Sequence, residues 1–206
     1  MNLRFTKSKF DSNLYYKVED DGVMILLLYV DELFLIGKEI LISECKKKLA
    51  TEFEMKDLGT MHYFLGLEVW QFPDEIFLNQ EKNTIEILKR FGMLDCKAIN
   101  TPMVKNLKLL SGDSLEIVDV TLYRQIIGSL IYLKNTRPNI CFTMNTLSQY
   151  MVEPRHVHLV AAKQVMRYLK GTLDYGLRYK IDNEFKLCGY TNSDWEGSVE
   201  DRKSTS

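Results

Sequence analysis

The sequence predicts an α+β chain: an antiparallel sheet with flanking helices, then a helical segment, then an incomplete β-hairpin. Three observations predict it. Residues 23–30 are a continuous apolar run, interrupted by Asp31-Glu32 and resumed over residues 33–36, which is the pattern of a hairpin with acids at its tip. Between residues 121 and 170, three stretches repeat apolar residues at helical spacing. Residues 177–179 and 185–190 then return to a strand-like composition.

Taken in order, residues 5–11 are polar and turn-like. Leu14-Tyr15-Tyr16-Lys17-Val18 reads as a strand, and Asp21-Gly22 as a hairpin turn into residues 23–30. That apolar run predicts a strand buried on both faces. Residues 39–53 predict a helix with Ile40, Leu41, Cys45, Leu49 and Phe53 on one face. Residues 63–72 form a second β region, closed by Pro73, and residues 75–78 a short strand. Residues 80–91 predict a helix with Ile85, Leu88 and Phe91 inward. Residues 101–120 contain Pro102 and Ser111-Gly112-Asp113-Ser114 with little periodicity, which predicts a linker. Residues 121–136 predict a helix. Pro138 is placed to start another that runs to about Met151. Residues 154–170 predict a third, with Val157, Val160, Ala161, Val165 and Leu169 inward. Lys163, Arg167 and Lys170 share its outer stripe.

The chain has 206 residues, 46% hydrophobic, enough for one large domain or two small ones with a real core. No apolar run reaches membrane-spanning length, so no membrane partner is expected. Met1-Asn2-Leu3-Arg4 does not open a signal peptide, and Cys45, Cys96, Cys141 and Cys188 are too widely spaced for a zinc module or disulfide framework. Reduced thiols in an intracellular protein are expected. The formal net charge is -1, yet residues 121–180 carry nine Lys/Arg against Glu153 and Asp174. That local excess permits a phosphate-binding face and equally an ordinary solvated helical surface.

Adjacent acids at the tip of an apolar hairpin repel each other, and a divalent cation with hard oxygen ligands relieves that repulsion. On the dipeptide alone a solvent-facing acidic turn is the simpler reading. The surrounding residues are more informative. Leu27-Leu28-Tyr29-Val30-Asp31-Glu32 resembles the Leu-Leu-Tyr-Val-Asp-Asp polymerase signature of copia-type retrotransposons. Phe53-Glu54-Met55-Lys56-Asp57-Leu58-Gly59 and Tyr63-Phe64-Leu65-Gly66-Leu67-Glu68-Val69 resemble the next two motifs of that family's reverse transcriptase palm. Asn100-Thr101-Pro102-Met103 is similar to the exit from the palm. Tyr123-Arg124-Gln125-Ile126-Ile127-Gly128, Thr136-Arg137-Pro138-Asn139-Ile140, Leu147-Ser148-Gln149-Tyr150-Met151 and Arg167-Tyr168-Leu169-Lys170-Gly171-Thr172 resemble its helical segment. Gly189-Tyr190-Thr191-Asn192-Ser193-Asp194-Trp195 resembles the opening of the ribonuclease H domain. The motifs occur in family order along nearly the whole chain.

This resemblance to a copia-type Pol polyprotein implies residues 1–104 as the C-terminal part of a palm, 105–120 as a linker, 121–180 as a helical thumb or connection segment, and 181–206 as the start of ribonuclease H. It implies an RNA-directed DNA polymerase acting on an RNA template and an RNA–DNA or DNA duplex, with nucleotides as its small-molecule substrates. Asp31 and Glu32 become the catalytic and metal-ligating residues, with Mg²⁺ as the cofactor. Phe64, Leu65 and Gly66 become the primer grip. Lys163, Arg167 and Lys170 are assigned to the nucleic-acid backbone from charge and spacing alone.

Three departures bear on activity. The palm's earlier metal-binding Asp is expected upstream of this sequence. Glu32 stands where the family has a second Asp, one methylene shorter. Asn192 stands where ribonuclease H has its catalytic Asp, and an amide is a poor Mg²⁺ ligand. The expectation is therefore a reverse transcriptase fragment, inactive on its own. Two alternatives stand beside it: a non-catalytic nucleic-acid-binding remnant, and part of a longer active Pol polyprotein. His156 and His158 face near-opposite sides of a helix, and the resemblance, whose family often has a His near here, implies a structural role.

Overall fold

A computed structural model describes residues 4–20, 22–104, 107, 109 and 118–181. The expected strand over residues 185–190 and the ribonuclease H-like position Asn192 lie outside the described residues. The chain divides into two compact units, residues 1–60 and 61–206. Among the described residues both are α+β, and each contains one antiparallel sheet.

In the first unit, β1 (Thr6–Lys7), β2 (Leu14–Glu19), β3 (Gly22–Tyr29) and β4 (Glu32–Ile36) form a sheet in that order. Helix α1 (Glu39–Glu52) packs through Leu41, Cys45 and Leu49 against Met24, Leu33 and Leu35. These helical positions are four residues apart, so they form one seam. Ile40 and Phe53, expected on that seam, are 73% and 59% exposed. Residues 23–30 are likewise not buried on both faces. Met24 and Leu26 are buried, whereas Val23 and Tyr29 are 52% and 40% exposed. The cause is simple: α1 covers one face, and alternation along a strand sends only every second side chain there. Burial pushes the Cys45 thiol up, against the opposing pull of Lys17 and Lys48. Asp57 accepts hydrogen bonds from the Gly59 N–H and from Lys46 Nζ on α1, both at 2.9 Å. The Phe53–Gly59 motif is thus fastened to its own helix, and these two bonds hold the Asp57 carboxyl below its usual range.

The second unit holds β5 (Tyr63–Phe64), β6 (Leu67–Gln71), β7 (Glu75–Asn79) and β8 (Gly176–Lys180), in that spatial order. The sequence read residues 177–179 as the first strand of a fresh hairpin. Instead β8 returns to the earlier β7, with Phe77 opposite Arg178 and Asn79 opposite Gly176. Gly176 is required there, because a Cβ would lie 2.2 Å from the Leu78 carbonyl oxygen. The helices are α2 (Glu81–Arg90), α3 (Val120–Leu133), α4 (Cys141–Ser148), preceded by a 3₁₀ turn at Pro138–Ile140, and α5 (His156–Lys170).

All four helices share one core, in which Leu88, Ile127, Leu130, Leu133, Met144, Val165 and Met166 are fully or almost fully buried. Asp119 caps α3 by accepting from the N–H groups of Thr121 and Leu122. On α5 the buried seam runs through Ala162 and Met166, and Val160, expected inward, is 48% exposed. Leu109, within the stretch read as a linker, is buried in this same core. Its carbonyl lies 3.1 Å from His158 Nε2, and His158 Nδ1 accepts the Arg155 N–H at 2.9 Å. Those partners fix the neutral tautomer with the proton on Nε2. The ring stacks on Tyr150 at 3.9 Å between centroids.

Candidate metal-binding hairpin and nucleic-acid interface

Tyr29 pairs directly with Glu32, so β3 and β4 are joined by a two-residue loop, Val30-Asp31. Such a loop demands unusual backbone angles, and Val30 adopts φ 51°. A β-branched residue there is an outlier that costs on the order of 1–3 kcal/mol. The strain buys presentation: Val30 is 87% exposed, and Asp31 and Glu32 are both exposed beside it. The structure therefore puts both predicted acids at the tip of the β3–β4 hairpin, Asp31 in the loop and Glu32 at the start of β4, each exposed.

Among the described residues, no group of three or more His, Cys, Asp or Glu side chains is arranged to hold a metal ion. Mg²⁺ prefers six oxygens in near-octahedral order. Two carboxylates can supply at most part of such a shell.

Phe64, Leu65 and Gly66 lie on a second hairpin. Phe64 pairs with Leu67, leaving the two-residue loop Leu65-Gly66 between β5 and β6. Both loop residues have positive φ, 49° and 77°. Gly66 takes this without penalty. Leu65 is held from outside: Tyr132 on α3 donates its hydroxyl to the Leu65 carbonyl. The Tyr132 ring also approaches Gly66, where an added Cβ would lie 3.6 Å from Cε1.

The basic stripe on α5 is less uniform than its spacing suggests. Lys163 is exposed, while Arg167 and Lys170 are half-buried. Arg167 Nε donates to the Lys97 carbonyl at 2.8 Å, fastening the chain after α2 to α5. Several other cations of residues 121–180 are also engaged internally. Arg124 donates to the Met151 carbonyl, Arg155 pairs with Glu153 at 2.9 Å, and Arg178 lies 3.5 Å from Glu75. Part of the positive charge of residues 121–180 is therefore engaged in intramolecular bonds.

Arg137 is the largest such case and was not singled out by the sequence. It is 2% exposed, donates to the Thr172 carbonyl at 2.9 Å, and reaches the Thr172 hydroxyl. Its guanidinium lies over the rings of Tyr168 and Tyr175, at 5.8 and 5.5 Å from their centroids. Burial pulls its pKa down, opposed by Tyr168, Asp174 and Tyr175. The Thr136–Ile140 and Arg167–Thr172 motifs, read separately in the sequence, are therefore one joint. Arg137 lies between α3 and the 3₁₀ turn, in the polar stretch Lys134-Asn135-Thr136-Arg137-Pro138-Asn139, which gives no local sign of its burial. Tyr132 was also missed; its signal was an aromatic ring on the outer side of α3.

Residues 1–105 match the family "Reverse transcriptase (RNA-dependent DNA polymerase)". Over all of its 206 residues the chain is 36% identical to the retrovirus-related Pol polyprotein from transposon RE2 of Arabidopsis thaliana, and it spans 14% of that protein. It is 40% identical over 184 residues to an uncharacterized mitochondrial protein of Arabidopsis thaliana, covering 88% of this chain and 76% of that one. It is 30% identical over 200 residues to a putative transposon Ty5-1 protein of Saccharomyces cerevisiae, covering 96% of this chain and 65% of that protein. No solved structure matches it. Among the described residues, no helix is long and apolar enough to cross a membrane. The motifs from Leu27 onward, the hairpin they build and these relatives lead to one conclusion: the chain belongs to the reverse transcriptase family, in the form carried by retrotransposon Pol polyproteins.

Proposed function

We propose that this chain carries the metal-ligating corner and the primer-holding turn of an RNA-directed DNA polymerase, and that alone it does not polymerise. The observation that carries the proposal is the β3–β4 tip, where a strained two-residue loop presents Asp31 and Glu32 together. In this reading Asp31 is a ligand for Mg²⁺, and Glu32 is a second ligand with longer reach. Displacing a ligand by about an ångström can cost on the order of a hundredfold in rate. Phe64, Leu65 and Gly66 hold the primer strand. Lys163 and Lys170 meet the phosphates of the template–primer duplex, with Arg167 positioning the helix that carries them. The palm, thumb and ribonuclease H assignments of residues 1–104, 121–180 and 181–206 rest on motif order, and an intracellular site of action follows from the nucleic-acid substrates.

Primer extension on an RNA template, with Mg²⁺ and then Mn²⁺, tests this. No templated incorporation is expected from the full chain. Incorporation that disappears in Asp31→Asn would overturn the claim of inactivity and favour a complete site. The non-catalytic binding reading is supported by the exposed Lys163 and predicts salt-dependent retention of an RNA–DNA hybrid. Absence of any shift at low salt sinks it.

A further inference from the structure

The sheet of the second unit has an exposed aromatic and cationic face that the hairpins do not use. Trp70 on β6, Phe77 on β7 and Arg178 on β8 lie directly opposite one another across three strands, so they share a face. Tyr63 on β5 stands opposite Glu68 and joins the same face, two residues along the sheet from Trp70. Trp70 and Tyr63 are each 53% exposed. The Phe77 ring reaches over Gly176, where a Cβ would come within 2.8 Å of its Cζ. Gly176 thus leaves room for that ring on the sheet surface.

The charges around these rings favour an anion. Lys82 Nζ sits 5.6 Å from the Tyr63 ring centroid, and Arg178 keeps 60% of its side chain exposed. Lys180, opposite Glu75, is exposed too. Two acids stand on this face, and Glu75 engages Arg178 Nε at 3.5 Å while most of the Arg178 side chain stays exposed. Glu68 is buried and accepts the Lys82 N–H at 2.8 Å, and Glu75 has an 18% exposed side chain directed at Arg178. Rings on adjacent strands are about 5 Å apart and those two residues apart about 7 Å, a spacing that suits successive unstacked bases.

We infer that the Tyr63–Trp70–Phe77–Arg178 face of this sheet binds a single-stranded nucleic-acid segment, with bases stacked on Trp70 and Phe77 and phosphates met by Arg178 and Lys180. The inference rests on the nucleic-acid reading above but concerns a different surface and a different ligand form, the unpaired strand. Every base offers a π-face, so recognition here is tolerant of sequence.

The test uses the full chain carrying Trp195→Phe, which leaves Trp70 as the sole tryptophan reporter of the two in the sequence. The probe is an oligothymidylate of about 16 nucleotides. Binding should quench Trp70 emission. Phe77→Leu should weaken binding roughly ten- to a hundredfold with quenching still readable. Trp70→Leu, followed by anisotropy of a labelled oligonucleotide, should do the same. Both retain an apolar side chain at the position, and unchanged far-ultraviolet circular dichroism confirms folding. Arg178→Gln should reduce the salt slope by about one. Affinity that stays within about twofold in both Leu variants overturns the inference. So does Trp70 burial that depends on protein concentration without oligonucleotide, which would make a second copy of the chain the occupant. The duplex reading is probed separately, by Asp31→Asn and Lys163→Gln with an RNA–DNA hybrid in place of oligothymidylate.

Discussion

Two hairpin tips in this molecule have the same length and opposite strategies. The β5–β6 tip places Gly66 at one left-handed position and braces the other, Leu65, with the Tyr132 hydroxyl. The β3–β4 tip places Val30 in a left-handed conformation and leaves it 87% exposed. The first minimises strain and recruits tertiary support. The second tolerates strain at the residue preceding two exposed carboxylates. A turn needed only to reverse the chain is cheaply built with Gly or Asn. A turn that keeps Val there is the kind of strained position found at functional sites, and under the proposed function it carries the metal-ligating Asp31 and Glu32.

The comparison can be broken by substitution. Gly66→Val puts a β-branched residue at φ 77° against the Tyr132 ring, and should destabilise the second unit by about 2–3 kcal/mol in denaturant unfolding. Val30→Gly should do the reverse in the first unit, raising its stability by about 1 kcal/mol through relief of strain. A loss of stability there would mean that Val30 is not strained. Tyr132→Phe removes the brace on Leu65 and should cost about 1 kcal/mol, seen as faster amide exchange at residues 64–67 and no change at residues 29–32.

A pH titration separates the units in another way. Burial holds the His158 pKa below its ordinary value, with the Leu109 carbonyl opposing and Arg155 reinforcing the shift. The unfolded chain therefore binds that proton first. Stability from His158 is complete above the unfolded value of about 6.5 and is lost as pH falls through the window beneath it, by at most about 1.4 kcal/mol per pH unit. The loss should fall on the second unit and vanish in His158→Gln. An unchanged midpoint between pH 7 and 5 contradicts it.

Much of this was legible in the sequence, and the failures have physical causes. The β3–β4 hairpin was readable because two acids interrupt a long apolar run. The helices were readable from periodicity, but their seams shifted: Val160 and Ile40 are exposed because a 3.6-residue period fixes the face only within about one position. The pairing of β8 with β7 was invisible, since sheet partners across about 100 residues leave no local trace. The Leu65-Gly66 turn was absorbed into one long β region because Leu65 does not look like a turn residue. Arg137 and Tyr132 were missed because their partners, Thr172 and Leu65, are distant in sequence.

The central claim is that the β3–β4 tip is a metal-ligating corner and not a complete centre. Paramagnetic broadening of backbone amide signals by Mn²⁺ tests it directly. The account predicts broadening centred on Val30, Asp31 and Glu32, with dissociation constants in about the millimolar range, abolished in Asp31→Asn. Micromolar binding would reveal a complete site, and broadening that leaves residues 30–32 untouched would show that this hairpin holds no metal at all.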